Sequence, residues 1–259
     1  YFDDDNALAR ASRANVSPAV LVSAEIVARD TATGNVLIAA DPLFASEAFS
    51  QVKPSPRPNG DNEGFRLGSL SDERTRIVEL RSYPLNTDVV VDYVYTESYP
   101  TNGGSDGVVD ARAVTIRLQH SLIEMPENEF RPRIDDARVG YFYDRQNDML
   151  STSAAPYRDL INRWHLVKRD PSAAVSEPVE PIVWWIENTT PHELRETIRD
   201  AVLEWNHAFE DAGFRNAVEV RVQPDDADWD AGDIRYNVLR WTSSPNPPFG
   251  GYGPSFTNP

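Results

Sequence analysis

The sequence predicts an α+β protein in three stretches. These are an antiparallel β-rich N-terminal domain over residues 1–124, an extended connector over 125–180, and an incomplete strand–long helix–strands unit over 181–259. Three observations carry that prediction. Runs such as V-V-V-D-Y-V-Y at Val89–Tyr95 are rich in the β-branched and aromatic residues that fit a pleated surface. Pro126, Pro132, Pro156, Pro171 and Pro178 punctuate the middle of the chain. One long helical periodicity lies between strand-like runs near the end.

Taken in order, Tyr1–Ser17 is a polar start with room for one helical turn, and Ala19–Ala28 reads as a strand. Gly34-Asn35 signals a hairpin turn, and Val36–Ala40 is the returning strand. Asp41-Pro42 opens a short helix, and Lys53–Gly64 is a proline-rich loop. Arg74–Arg81 and Asp88–Glu97 are strands around Tyr83–Asn86, and Arg112–Ile123 alternates as a half-buried strand. Tyr99–Gly107 between them is an exposed tip. In the connector only Tyr157–Trp164 looks helical.

The third stretch is the most sharply marked. Ile182–Ile186 reads as a buried strand, followed by a helix over Pro191–Ala212. Thr190 fits the N-cap, Pro191 the first helical position, and Glu193 completes a capping box. Leu194, Ile198, Ala201, Val202, Trp205, Phe209 and Ala212 recur every three or four residues as one apolar stripe. Gly213 and Phe214 form a Schellman stop. Ala217–Val222 is the next strand, Asp225–Asp233 an acidic loop, and Ile234–Trp241 a strand whose bulky residues on both faces predict a central place.

Composition excludes several function classes. A net charge of −16 disfavours nucleic acid, whose phosphates need clustered cations. Lys53 and Lys168 are the only lysines among the 25 basic residues. The absence of cysteine removes thiol catalysis and thiolate metal ligands. No apolar run is long enough to span a membrane. A start at Tyr1, without Met or signal peptide, is expected of a mature or trimmed chain.

The candidate sites are few. His192-Glu193-Leu194-Arg195-Glu196 imitates a zinc motif but has Glu where the second His belongs. His192 and His207 lie about 22 Å apart along one helix, too far to share an ion. Asp225, Asp226, Asp228, Asp230 and Asp233 are oxygen donors on a loop, but lack the spacing of a calcium-binding EF-hand. Arg131–Phe142, with alternating Arg and Asp before aromatics, reads as a surface connector anchored by its aromatics, the alternative being a segment laid into a groove and held by ion pairs. No nucleophile triad, P-loop or dinucleotide glycine pattern is present.

Several longer motifs carry a resemblance. Ser172–Pro191, W-N-H-A-F-E-D-A-G-F at Trp205–Phe214, D-I-R-Y-N-V-L-R-W at Asp233–Trp241 and Y-G-P-S-F-T-N-P at Tyr252–Pro259 resemble bacterial zinc-dependent metallopeptidases of the metzincin type that carry a large N-terminal domain of unknown function. The resemblance implies that Ile182–Ile186 and Pro191–Ala212 are the first strand and backing helix of the upper catalytic subdomain. It implies that Ile234–Trp241 is an inner strand. Gly251, Tyr252, Gly253, Pro254, Ser255 and Phe256 would approach the edge strand that binds peptide substrate. Asp135 and Asp136 would be candidates for an inhibitory segment that occupies the zinc site.

The family's H-E-x-x-H-x-x-G-x-x-H zinc motif is not in this sequence. The expectation is therefore the N-terminal portion of an exported zinc endopeptidase, non-catalytic as given, with zinc bound only by the longer protein. Its partners would be the remaining C-terminal part and a peptide or protein substrate. The alternative is a β-rich module that binds protein or glycan without chemistry. The first reading also expects a partner chain, or an exposed apolar patch near Trp241–Phe256.

Overall fold

The computed structural model describes Ala7, Ala11 and residues 17–53, 65–243 and 250–253. Most of the polar start and the proline-rich loop therefore lie outside the described residues. The architecture is α+β, dominated by antiparallel sheets with few helices.

Strands β1 (Ile26–Arg29) and β2 (Val36–Ile38) form the first hairpin, shorter than the sequence predicts. It turns through Gly34, whose φ of +79° suits a residue without Cβ. Helix α1 (Asp41–Phe44) then leads into the main sheet. That sheet is built on β5 (Asn86–Thr96), which pairs antiparallel with β6 (Ala113–Ile123) on one side. On the other side lie β4 (Arg76–Ser82) and the short β3 (Ser69–Leu70).

β5 is covered on both faces, as its near-continuous burial shows. Val89, Val91, Tyr93 and Tyr95 join Phe44 in the core, where Leu70, Ile77, Ile116 and Leu118 pack around them. The opposite face carries Asn86, Asp88, Val90 and Asp92, all buried.

The connector is not featureless. Tyr157–Ile161 is strand β8, not a helix, and pairs antiparallel with β7 (Tyr143–Asn147). Cross-strand chemistry explains this. Arg145 makes a two-pronged bond to Asp159 at 2.7 and 2.9 Å, and its guanidinium lies 4.0 Å from the Tyr157 ring centre. Such pairs stabilise a sheet but leave no mark in local periodicity.

The C-terminal stretch is a three-stranded parallel sheet. β9 (Ile182–Ile186) lies between β10 (Val218–Val222) and β11 (Asn237–Leu239). The central strand is thus β9. The segment Ile234–Trp241 contributes only three strand residues, and they lie beside β9 rather than between two strands of the described sheet.

The long helix runs as α2 (His192–Leu203) and α3 (Trp205–Asp211), with Glu204 between them still in helical conformation. His207 N–H bonds back to Glu204 three residues earlier, a local tightening. The expected cap shifts by one residue. Pro191 occupies the cap position, and the Thr190 hydroxyl makes no capping bond. Arg195 closes the turn instead, donating to the carbonyls of Thr190 at 2.9 Å and Asn188 at 2.6 Å. The stop is as the sequence predicts. Gly213 N–H bonds to Glu210 and Phe214 N–H to Phe209, with Gly213 at φ +87°.

Candidate functional site

Parallel strands bring their carboxyl ends to one rim, where open α/β sheets usually bind ligands. Here the residues after β9, β10 and β11 are Glu187, Gln223 and Arg240. Glu187 is buried and accepts from Arg240 Nε at 3.2 Å and from the Thr189 hydroxyl at 2.8 Å. Gln223 accepts from Asn188 N–H at 3.3 Å and donates to the Trp229 carbonyl at 3.0 Å. Thr190, only 2% exposed, has a hydroxyl without a partner. The rim is a tied polar knot, and its carboxylate is already matched by a guanidinium.

Both faces of β9 are aromatic. Trp184 meets Trp164 edge-on, while Trp185 meets Trp229 and Tyr236. Trp229 stacks on Tyr236 at 3.8 Å. The acidic loop therefore seats a tryptophan on the sheet rather than presenting its carboxylates together. Asp230 accepts from Tyr83 Oη at 2.7 Å, and Asp233 is bridged by Arg235. Asn86 donates to the Gly232 carbonyl and accepts from Ile234 N–H. These bonds join the antiparallel and parallel sheets.

An open cleft of about 580 Å³ lies beside β10, lined by Arg169, Glu177, Leu203, Asn206, Val218 and Val220. Asn206 fills part of the strand edge. Its amide accepts from Val218 N–H at 2.9 Å and donates to Val218 C=O at 3.0 Å, imitating a neighbouring strand.

The sequence-predicted residues do not converge on one place. Gly251, Tyr252 and Gly253 are exposed and form no strand, while Pro254, Ser255 and Phe256 lie outside the described residues. Asp136 is taken up by Arg138, whose guanidinium holds its carboxyl below the usual range. Asp135 differs: its N–H bonds to the Asp159 carbonyl, and its buried Oδ1 has no hydrogen-bond partner.

The histidines are dispersed. His192 and His207 are exposed on the helix, His165 meets Phe130, and His120 is buried against Tyr93. Among the described residues no three His, Cys, Asp or Glu side chains come together as a metal ion needs, so these residues do not fit a zinc site. No described helix is long and apolar enough to cross a membrane.

Sequence reasoning missed the junction at Tyr83, Asn86, Asp88 and Asp230. A signal was available: Asp88 and Asp92 lie four apart in a strand, so both share a face that must be covered or paired.

A family profile described as "Domain of unknown function (DUF5117)" matches residues 1–169. No curated protein and no solved structure matches the chain.

Proposed function

The chain belongs to the DUF5117 domain family, and we propose that it is the non-catalytic N-terminal portion of an exported zinc-dependent endopeptidase of the metzincin type. One observation carries the reading. The strand–helix–strand–strand unit forms a parallel sheet in which Ile182, Ile186, Val218 and Val220 are buried, but the apolar stripe of its helix is only half covered. Leu194, Ile198, Val202 and Phe209 are half-buried, and neither α2 nor α3 has a fully buried residue. Trp205 is 64% exposed, Trp241 44% and Tyr252 72%. Large apolar side chains left in solvent like these are the kind that further protein covers.

In this reading the further protein is the remainder of the catalytic domain, which brings the zinc ligands and continues the sheet beyond β11. This chain contributes the backing helix, β9 and its neighbours. Gly251, Tyr252 and Gly253 lead toward the strand that receives peptide substrate, and Asp135 is the acidic residue with a carboxylate oxygen left to bind a metal.

The test is to translate the gene beyond codon 259 and assay the longer protein. The expected result is an H-E-x-x-H-x-x-G-x-x-H motif within about a hundred residues, bound zinc, and casein cleavage abolished by chelator. A stop codon there, or a zinc-free product without peptidase activity, overturns the reading.

A second reading, a non-enzymatic binding module, is favoured by the β1–β2 hairpin. Ile26, Val27, Val36, Leu37 and Ile38 are all exposed, as are Val20 and Leu21 just before them. Glycan or protein capture by the chain, with no peptidase in the longer gene product, supports it.

A further inference from the structure

We propose that the outer edge of β6 pairs with the same strand of a second copy of this chain, antiparallel about an axis at Leu118. The geometry starts from β5. Glu97 N–H bonds to the Arg112 carbonyl, and Glu124 N–H bonds to the Leu85 carbonyl. In an antiparallel ladder the bonded pairs recur every second residue. Arg112, Val114, Ile116, Leu118, His120, Leu122 and Glu124 therefore aim their N–H and C=O at β5. Ala113, Thr115, Arg117, Gln119, Ser121 and Ile123 aim theirs away from it, and among the described residues no strand meets them.

The two edges of this sheet differ in how they are guarded. On the β4 side the register shifts between Ile77 and Glu79, and the strand carries Arg76, Glu79 and Arg81. Bulges and charges of this kind block pairing with another chain. β6 has neither. It runs 11 residues in unbroken register without proline, and is about 36 Å long.

Charge and side-chain pattern select the partner. In a chain of net charge −16, β6 contains no acidic residue, and its one cation, Arg117, is already bonded to Asp92 at 2.7 and 2.9 Å. Two copies repel over most of their surfaces but not here. Centring the axis on Leu118 sets Thr115 opposite Ser121, Arg117 opposite Gln119, and Ala113 opposite Ile123. Every outward N–H and C=O then meets its complement, and no like charges face each other. On the core side Val114 meets Leu122, which is 43% exposed in the single chain, so the pairing extends the core. An isologous contact needs this self-complementarity.

Sedimentation velocity on the 259-residue chain over a concentration series tests the proposal. A one-strand interface is small, at the lower end of about 1,200 Å². The expected result is a monomer at low micromolar concentration that becomes a dimer at several hundred micromolar. Thr115→Pro removes one outward N–H and leaves the β5 ladder intact; it should weaken association at least tenfold.

A second measurement does not depend on that variant folding. The chain has no cysteine, and residues opposite each other in a bonded pair have Cα atoms about 5.5 Å apart, within disulfide range. A mixture of T115C and S121C chains should form a mixed disulfide, whereas neither should cross-link alone. A monomer at every concentration, a T115P chain that dimerises like the wild type, or a mixture that cross-links no better than its components overturns the proposal. So does an edge that takes a foreign peptide while the chain stays monomeric.

Discussion

Tyr83 Oη donates to Asp230 Oδ1 at 2.7 Å, joining two sheets across 147 residues of sequence. Burial and the Asp230 carboxylate push the Tyr83 hydroxyl up to about 12 from its ordinary 10.0. Burial works to raise Asp230, but the Tyr83 hydroxyl, the Gly232 N–H and Arg81 outweigh it and hold that carboxyl low. Gly232 has no room for a side chain here, since a Cβ would come within 2.6 Å of Tyr83 Oη and 2.9 Å of Asp88 Oδ2. Tyr83→Phe should therefore lower stability by about 1 kcal/mol at neutral pH.

The pH dependence of that cost has a definite sign. A hydroxyl whose folded pKa is raised contributes fully below its unfolded value, and the contribution fades as pH rises through the folded one. The wild-type advantage over Tyr83→Phe should thus be flat to about pH 10 and shrink toward pH 12. Denaturant unfolding of both proteins across that window measures it. A difference that grows above pH 10 contradicts the assignment.

Gly213 is held for two reasons at once. Its φ of +87° is strained for any L side chain, and a Cβ would come within 2.9 Å of the Ala174 carbonyl and of Lys168 Nζ. That lysine is itself committed, donating to the Ala173 carbonyl at 3.0 Å and the Ala174 carbonyl at 2.7 Å. Gly213→Ala should cost about 2 kcal/mol, more than the effect of the φ angle alone. In a Lys168→Met background the same substitution should cost less, because one of the two obstructions is then a flexible uncharged chain. Equal costs in the two backgrounds would assign the whole effect to the backbone.

The features legible in the sequence are those set by near neighbours. The Gly213-Phe214 stop is closed within the six residues Phe209–Phe214, and β6 follows from its own alternation. The features that were not legible depend on distant partners. Tyr157–Ile161 is a strand because Tyr143–Asn147 lies beside it with Arg145 matched to Asp159. Asp225–Asp233 reads as a solvated or calcium-binding loop until Trp229 is seen on Trp185 and Asp230 on Tyr83. The candidate site was less legible than the fold. The sequence sets Asp135 and Asp136 side by side, but only packing separates a carboxylate spent on Arg138 from one with an oxygen to spare.

His120 makes the core sensitive to acid. Tyr93 Oη spends its one proton on the Phe44 carbonyl at 2.7 Å, so the 2.7 Å contact to His120 requires Nε2 to be the donor. The ring also meets Phe44 and Phe49, and burial pushes its pKa below the ordinary 6.5. A base with a depressed folded pKa contributes stability above its unfolded value, and that contribution is lost as pH falls through the folded one. Stability should drop as pH falls below about 6.5, and His120→Gln should remove that part of the slope while keeping a donor for Tyr93. Parallel pH profiles for the two proteins would show that other groups cause the acid loss.

Asn206 offers a sharper test of how the helix holds the parallel sheet. Its carboxamide bonds to both backbone groups of Val218, which is 5% exposed and has β9 only on its other side. Removing the amide leaves a buried N–H and a buried C=O unpaired, a loss larger than that of the bonds themselves. Asn206→Ala should cost about 2 kcal/mol and raise hydrogen exchange at the Val218 amide, while amides of β5 exchange as before. Asn206→Asp separates the two bonds, because a carboxylate accepts from Val218 N–H but has nothing to donate to Val218 C=O. That variant should keep Val218 protected at neutral pH and still lose stability. If both variants leave Val218 protected and stability unchanged, water replaces the amide and the side chain is not what closes this edge.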